Sequence, residues 1–111
     1  MLFRSALERR SRQFAIVQHA GTDAGWRFTP FDGLVTELEL LRQTGASAGD
    51  AIVAATSAAA AAMGIAGEVG TLRAGLQADM IAVAGDPLED LAVLRHPAMV
   101  MLGGAVVARN R

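Results

Sequence analysis

The sequence contains no cysteine. That excludes disulfides and thiolate metal sites, and it fits a cytoplasmic setting. It also lacks charge of one sign: ten Lys and Arg stand against eleven Asp and Glu, a formal net charge of −1. No electrostatic footprint for nucleic acid or an anionic membrane is present, and neither partner is expected. Long hydrophobic runs are missing too. The most apolar stretch, residues 51–62, is Ala-rich and about a dozen residues long, too short and too weakly hydrophobic to span a bilayer. A buried helix is the expectation there. Residues 1–13 are broken by Arg4, Glu8, Arg9, Arg10 and Arg12, so they hold no apolar core of a leader peptide and none is expected. What remains is a chain of 111 residues, 52% apolar and dominated by Ala and Gly. This is a globular composition, enough for one modest domain with a small core.

Periodicity divides the chain into a helical part and a strand-rich part. In residues 1–12, Leu2, Phe3, Ala6 and Leu7 recur at helical spacing with Arg and Glu opposite, which predicts a helix. Phe14, Ala15, Ile16 and Val17 form an apolar run of strand length with no polar alternation, as in a parallel strand buried on both faces. His19-Ala20-Gly21-Thr22-Asp23-Ala24-Gly25 follows as a loop, where Gly21 is expected to permit a tight turn and Thr22 to hydrogen-bond locally. A second helix is predicted over 31–44, with Leu34, Leu38 and Leu41 as its buried stripe and Gly45 as its stop. A third runs from Ser47, its cap, through Asp50 in the first turn to Met63, and Gly64 ends it. Beyond residue 67, glycines punctuate short apolar segments. Residues 80–84 read as a strand, 87–94 as a short helical turn, and 98–102 and 105–108 as a hairpin about Gly103-Gly104.

Residues 67–90, GEVGTLRAGLQADMIAVAGDPLED, resemble the C-terminal signature of the amidohydrolase superfamily. That signature is roughly G-x-[IVL]-G-T-[LI]-x-x-G-x-x-A-D-[LM]-[IV]-x-[VL]-x-G-[DN]-P-L-x-D, and a hairpin like residues 94–107 follows it. The match is long and specific. Gly21-Thr22-Asp23-Ala24-Gly25, ahead of a helix with Glu37-Leu38 and then Thr44-Gly45, is most similar to the branch of imidazolonepropionases and Xaa-Pro dipeptidases. The resemblance covers nearly the whole chain from Phe14 onward. It implies an α/β fold: the C-terminal end of a (β/α)8 barrel, with its last strand at 14–18 and closing helices, plus part of a small β-sandwich. Residues 1–66 would belong to the barrel and 67–111 to the sandwich.

By the same resemblance, Asp23 lies just past the C-terminal end of the eighth strand. It would be both a metal ligand and the catalytic acceptor of a proton from metal-activated water. The implied cofactor is a divalent metal, with zinc expected, although one aspartate selects poorly among divalent ions. An isolated Asp in a Gly-flanked loop would otherwise read as a turn cap. His19, near the same strand end, reads as an ordinary histidine, because the family's metal histidines come from earlier strands. His96 reads as structural or solvated. Asp79 and Asp86-Pro87 read as architectural, and at least one of Glu37 and Glu39 is expected to face solvent. Trp26 and Phe28 either line a substrate pocket or pack in the loop.

The departures from the family are large. The His-x-His pair, the bridging Lys or Glu and the later histidines are absent, and only two His exist in all. The expected function is therefore that of a fragment of a metal-dependent hydrolase of C–N bonds (amide, cyclic amide or dipeptide), inactive alone. Such a piece is expected to be a truncated product or one part of something larger, whose missing N-terminal barrel portion is its first partner. The complete enzyme would take a small-molecule substrate, and homo-oligomer formation stays open. A non-catalytic assembly domain and a fragment of a related deaminase are the alternatives.

Overall fold

A computed structural model describes residues 18–25, 27, 28 and 30–110. The helix predicted over 1–12 lies outside these residues, as does the strand at 14–18 apart from Gln18. The helical part contains α1 (Leu34–Gln43), α2 (Ala48–Ala55) and α3 (Ser57–Ala62). The later part contains β1 (Met80–Ala82), a 3₁₀ helix (Leu91–Arg95), β2 (Met99–Leu102) and β3 (Ala105–Arg109).

Helix α1 starts three residues later than its apolar pattern suggests. Residues 31–33 form a turn closed by Gly33 N–H on the Pro30 carbonyl at 3.3 Å, and Gly33 has no side chain to cap the helix. Leu38 is buried and Leu41 packs beside the core. Leu34, at the first turn, is 43% exposed and falls off the expected stripe. The predicted stop at Gly45 is present, at φ +106. Its N–H donates to Arg42 C=O (3.0 Å) and that of Ala46 to Leu41 C=O (3.4 Å), the paired bonds of a Schellman motif.

Ser47 begins α2 as predicted. Its Oγ accepts from Asp50 N–H at 3.0 Å, and Asp50 Oδ2 accepts from Ser47 N–H at 3.1 Å. This reciprocal cap is worth about 0.5–2 kcal/mol. The single helix expected from 47 to 63 is broken. Thr56 departs to φ −123, ψ −95, and its hydroxyl donates back to Ile52 C=O at 2.7 Å. At the break, Ala54 C=O accepts Ala20 N–H at 2.9 Å. The chain also crosses closely here: a Cβ at Gly70 would lie 2.6 Å from Ala60 Cβ and 3.0 Å from the Thr56 carbonyl. The helix resumes as α3 and ends at Gly64 in a second Schellman pair, Gly64 to Ala61 and Ile65 to Ala60.

The sheet is antiparallel in the order β1-β2-β3. Gly103 (φ +57) and Gly104 (φ +81) form the turn with Leu102 opposite Ala105, the left-handed pair that a two-residue hairpin requires. Asp79 Oδ1 accepts Gly103 N–H at 2.6 Å and Ala78 C=O accepts Gly104 N–H at 3.0 Å, pinning the turn to the approach of β1. A bulge between Val100 and Met101 shifts the β2–β3 register. Strand β1 ends at Ala82, two residues short of its predicted end.

The helical turn predicted over 87–94 is displaced to Leu91–Arg95. Asp86 Oδ1 takes Leu88 N–H in a separate turn, while Asp90 Oδ1 caps the 3₁₀ helix through Ala92 N–H. That displacement puts Leu91, 2% exposed, into one cluster with Leu38, Ala48 and Ala51. The strand-rich part thus closes the core of the helical part. Arg95 adds a clasp, donating to Glu39 at 2.7 Å and Thr36 at 3.2 Å. Both charged side chains are more than a third exposed, so the pair contributes about 0.2–1 kcal/mol at most.

Leu91→Ala removes the largest fully buried side chain among the described residues and should cost about 2–5 kcal/mol. Gly70→Ala should also destabilise, by more than ~1 kcal/mol, because its φ is +92 and its added methyl meets Ala60. Urea denaturation of the purified chain followed by circular dichroism checks both.

Candidate functional site

Among the described residues, the loop after residue 17 is tied down at one point. Ala20 N–H bonds Ala54 C=O, and the Ala20 side chain packs against the α1–α2 core. Three residues on, Asp23 is exposed at φ +48, a left-handed conformation that Asp tolerates better than most residues. No hydrogen bond to its carboxylate exists among the described residues, so that group is free for an outside partner. Thr22 Oγ1 accepts Ala24 N–H at 3.2 Å, the local bond expected of it. Gly21 is a different case from its expected role. It has no positive φ, and an added Cβ would meet nothing within 4 Å. The left-handed turn is made by Asp23 and by Gly25 at φ +92.

The loop folds back onto Phe31, whose ring would sit 3.3 Å from a Cβ at Gly25. Phe31 is nonetheless 86% exposed, and Phe28 is 83% exposed. The Arg27 guanidinium lies 5.2 Å from the Phe28 ring centroid. Trp26 lies outside the described residues. Phe28 stays out of the core of the described residues. In the sequence, Arg27 and three aromatics, Trp26, Phe28 and Phe31, fall within eight residues of Asp23.

His19 and His96 are exposed. Among the described residues no group of three or more His, Cys, Asp or Glu is placed to hold a metal ion. Asp79 and Asp86 have the architectural roles described above. Glu37 and Glu39 are both half-buried, so neither stands fully in solvent, and Glu39 faces Arg95. A shallow groove of about 290 Å³ is lined by residues 71–78 and Met80; neither Asp23 nor His19 contributes to it. What the loop offers chemically is one accessible carboxylate, able to donate an oxygen to a cation or to accept a proton.

Residues 3–107 match the sequence model of the Amidohydrolase family. Among solved structures, a putative prolidase from Bifidobacterium longum is 36% identical at a TM-score of 0.84; the match covers 93% of this chain and 26% of that one. A Xaa-Pro dipeptidase with methionine bound in its active site is 31% identical at a TM-score of 0.78, covering 92% of this chain and 25% of that one. The E. coli guanine deaminase, 19% identical at a TM-score of 0.66, shares the fold over 93% of this chain and 30% of its own. The chain thus spans between a quarter and a third of the length of these structures. No curated protein matches it.

Because Asp23 is exposed and its carboxylate makes no hydrogen bond among the described residues, Asp23→Asn should change the stability of this chain by less than about 0.5 kcal/mol. Thermal denaturation of the two proteins side by side checks this. A large loss would mean that the carboxylate holds the turn.

Proposed function

This chain belongs to the amidohydrolase family, and on that premise we propose that it is the C-terminal part of a metal-dependent hydrolase cleaving C–N bonds. Dipeptides are the favoured substrate class, because two neighbours above 30% identity are described as a prolidase and a Xaa-Pro dipeptidase. In this reading residues 1–66 end a (β/α)8 barrel and residues 67–111 form the C-terminal part of a small β-sandwich. The exposure of Ile81, Leu102, Val106 and Val107 supports the second assignment, since a sandwich requires apolar surface for its other sheet. Among the described residues no helix is long and apolar enough to cross a membrane.

The described residues do not compose a metal centre by themselves. Asp23 fits as one hard oxygen donor among ligands supplied from elsewhere in a longer fold. A divalent metal held there, zinc by expectation, would bring the pKa of a water toward 7. The role of this chain is then to present Asp23. The Ala20–Ala54 bond fixes where the loop leaves the core, and the left-handed turn at Asp23 and Gly25 sets the carboxylate outward. An unpaired carboxylate can take the proton from the attacking water and pass it to the leaving amine. The observation that carries this reading is the free, exposed Asp23 in a loop anchored on the helices that the family match covers.

Two outcomes test it. The 111-residue chain alone, with added zinc, should not hydrolyse dipeptides or cyclic amides above background; turnover that depends on Asp23 would overturn the fragment reading. In a complete enzyme carrying these residues, Asp23→Asn should lower kcat by about 10²–10⁴-fold, the usual span for a positioned general base, with little change in KM. The amide keeps the shape but cannot take the proton. Near-normal kcat would return Asp23 to the role of a turn residue.

A further inference from the structure

Asp32 and Gly33 stand where the chain enters α1. Asp32 is exposed, and its carboxylate makes no hydrogen bond or ion pair among the described residues. Gly33 holds the N-cap position at φ −72, ψ −8, and its N–H has one acceptor among the described residues, the Pro30 carbonyl at 3.3 Å. That amide sits at the positive end of the helix macrodipole, which favours negative charge developing on it. Glycine also brings no Cβ to hinder approach to its nitrogen. The other aspartates lack this combination. The carboxylates of Asp50, Asp79, Asp86 and Asp90 each accept a backbone N–H, from Ser47, Gly103, Leu88 and Ala92, and Asp86 precedes Pro87, which has no N–H to lose. Asp23 is followed by Ala24, with a methyl beside the nitrogen and its N–H held by Thr22 Oγ1 at 3.2 Å.

We infer that Asp32-Gly33 is a site of spontaneous backbone modification, at which aspartate converts to isoaspartate through a cyclic succinimide. The Gly33 nitrogen gives up its proton and attacks Asp32 Cγ. A bond forms between that nitrogen and Cγ, the bond from Cγ to its hydroxyl breaks, and the proton and hydroxyl leave as water. Water then reopens the ring. Cleavage between Gly33 N and Cγ restores aspartate, whereas cleavage between Gly33 N and the Asp32 backbone carbonyl gives isoaspartate. One water leaves and one returns, so the mass is unchanged and no oxidant, metal or second protein is needed. The main chain then runs through Cγ and is one methylene longer, and the former backbone carbonyl becomes a free α-carboxylate. The added length falls between the Asp23 loop and α1, whose Leu38 lies in the core, and it disrupts the turn that Gly33 closes on Pro30.

The test is incubation of the folded 111-residue chain at physiological pH and temperature over weeks, beside a synthetic peptide of residues 28–42. Samples are digested with trypsin, which releases residues 28–42 as one peptide because Arg27 and Arg42 flank it. Conversion is read as a second chromatographic peak of the same mass, which an endoprotease that cuts ahead of aspartate, and not of isoaspartate, fails to cleave at position 32. The chain should show a progressive loss of that cleavage, at a rate of the same order as the free peptide, while the other aspartates stay unconverted. Gly33→Ala should nearly abolish the loss. Its φ of −72 suits alanine, and the added methyl would lie 3.3 Å from the Pro30 carbonyl oxygen. Asp32→Glu keeps the charge but would require a six-membered ring, so its peptide should remain a single peak. Conversion in the free peptide but not in the chain, equal conversion in Gly33→Ala, or a second peak in Asp32→Glu would each overturn the inference.

Discussion

One main-chain hydrogen bond, from Ala20 N–H to Ala54 C=O, fixes the loop that carries every candidate functional group. Ala54 C=O takes this outside amide at the place where the helix after residue 47 breaks at Thr56, and the break coincides with the crossing of Gly70 over Ala60 and the Thr56 carbonyl. The small residues at 48, 51, 54 and 60 let these segments approach so closely. A larger side chain at position 60 would push the Gly70 segment away from α3. The position of Asp23 is in this sense a consequence of alanine and glycine packing, and the loop itself contributes little.

The second constraint runs back from the β unit. Leu91 enters the core from a 3₁₀ helix whose cap is Asp90, and Arg95 of the same turn reaches Glu39 and Thr36. The helices that support the Asp23 loop and the segment that follows the sheet therefore share one core. The sheet itself is held by a different device, the carboxylate of Asp79 on the Gly103 amide. Ile81, Leu102, Val106 and Val107 remain open to solvent.

Much of this was legible in the sequence where local chemistry decides the outcome. Ser47 with Asp50, Gly45 and Gly64 each act through bonds within a few residues, and Gly103-Gly104 through the positive φ that glycine permits. The misses are non-local. Nothing within residues 47–63 announces a break at Thr56, because its counterparts are Ala20 and Gly70, far away in the chain. The helical turn lies at Leu91–Arg95 and not over 87–94, because Asp86 closes its own turn and Asp90 caps the helix. Leu34 fits a helical stripe, yet the stripe begins only where the core does. Asp23 stood out by resemblance alone, and its left-handed backbone, which costs of order 1–3 kcal/mol at functional sites, was not readable.

The central claim is that Asp23 completes an active site whose other ligands lie outside this chain. The most direct measurement is a crystal structure of a complete enzyme carrying these residues, grown with zinc and a non-hydrolysable dipeptide analogue. The account predicts an Asp23 carboxylate oxygen at about 2.0–2.2 Å from the metal, or within hydrogen-bond reach of its water, facing the bond to be cleaved. An Asp23 side chain turned to solvent, with the metal fully ligated and the analogue bound without it, would contradict the account.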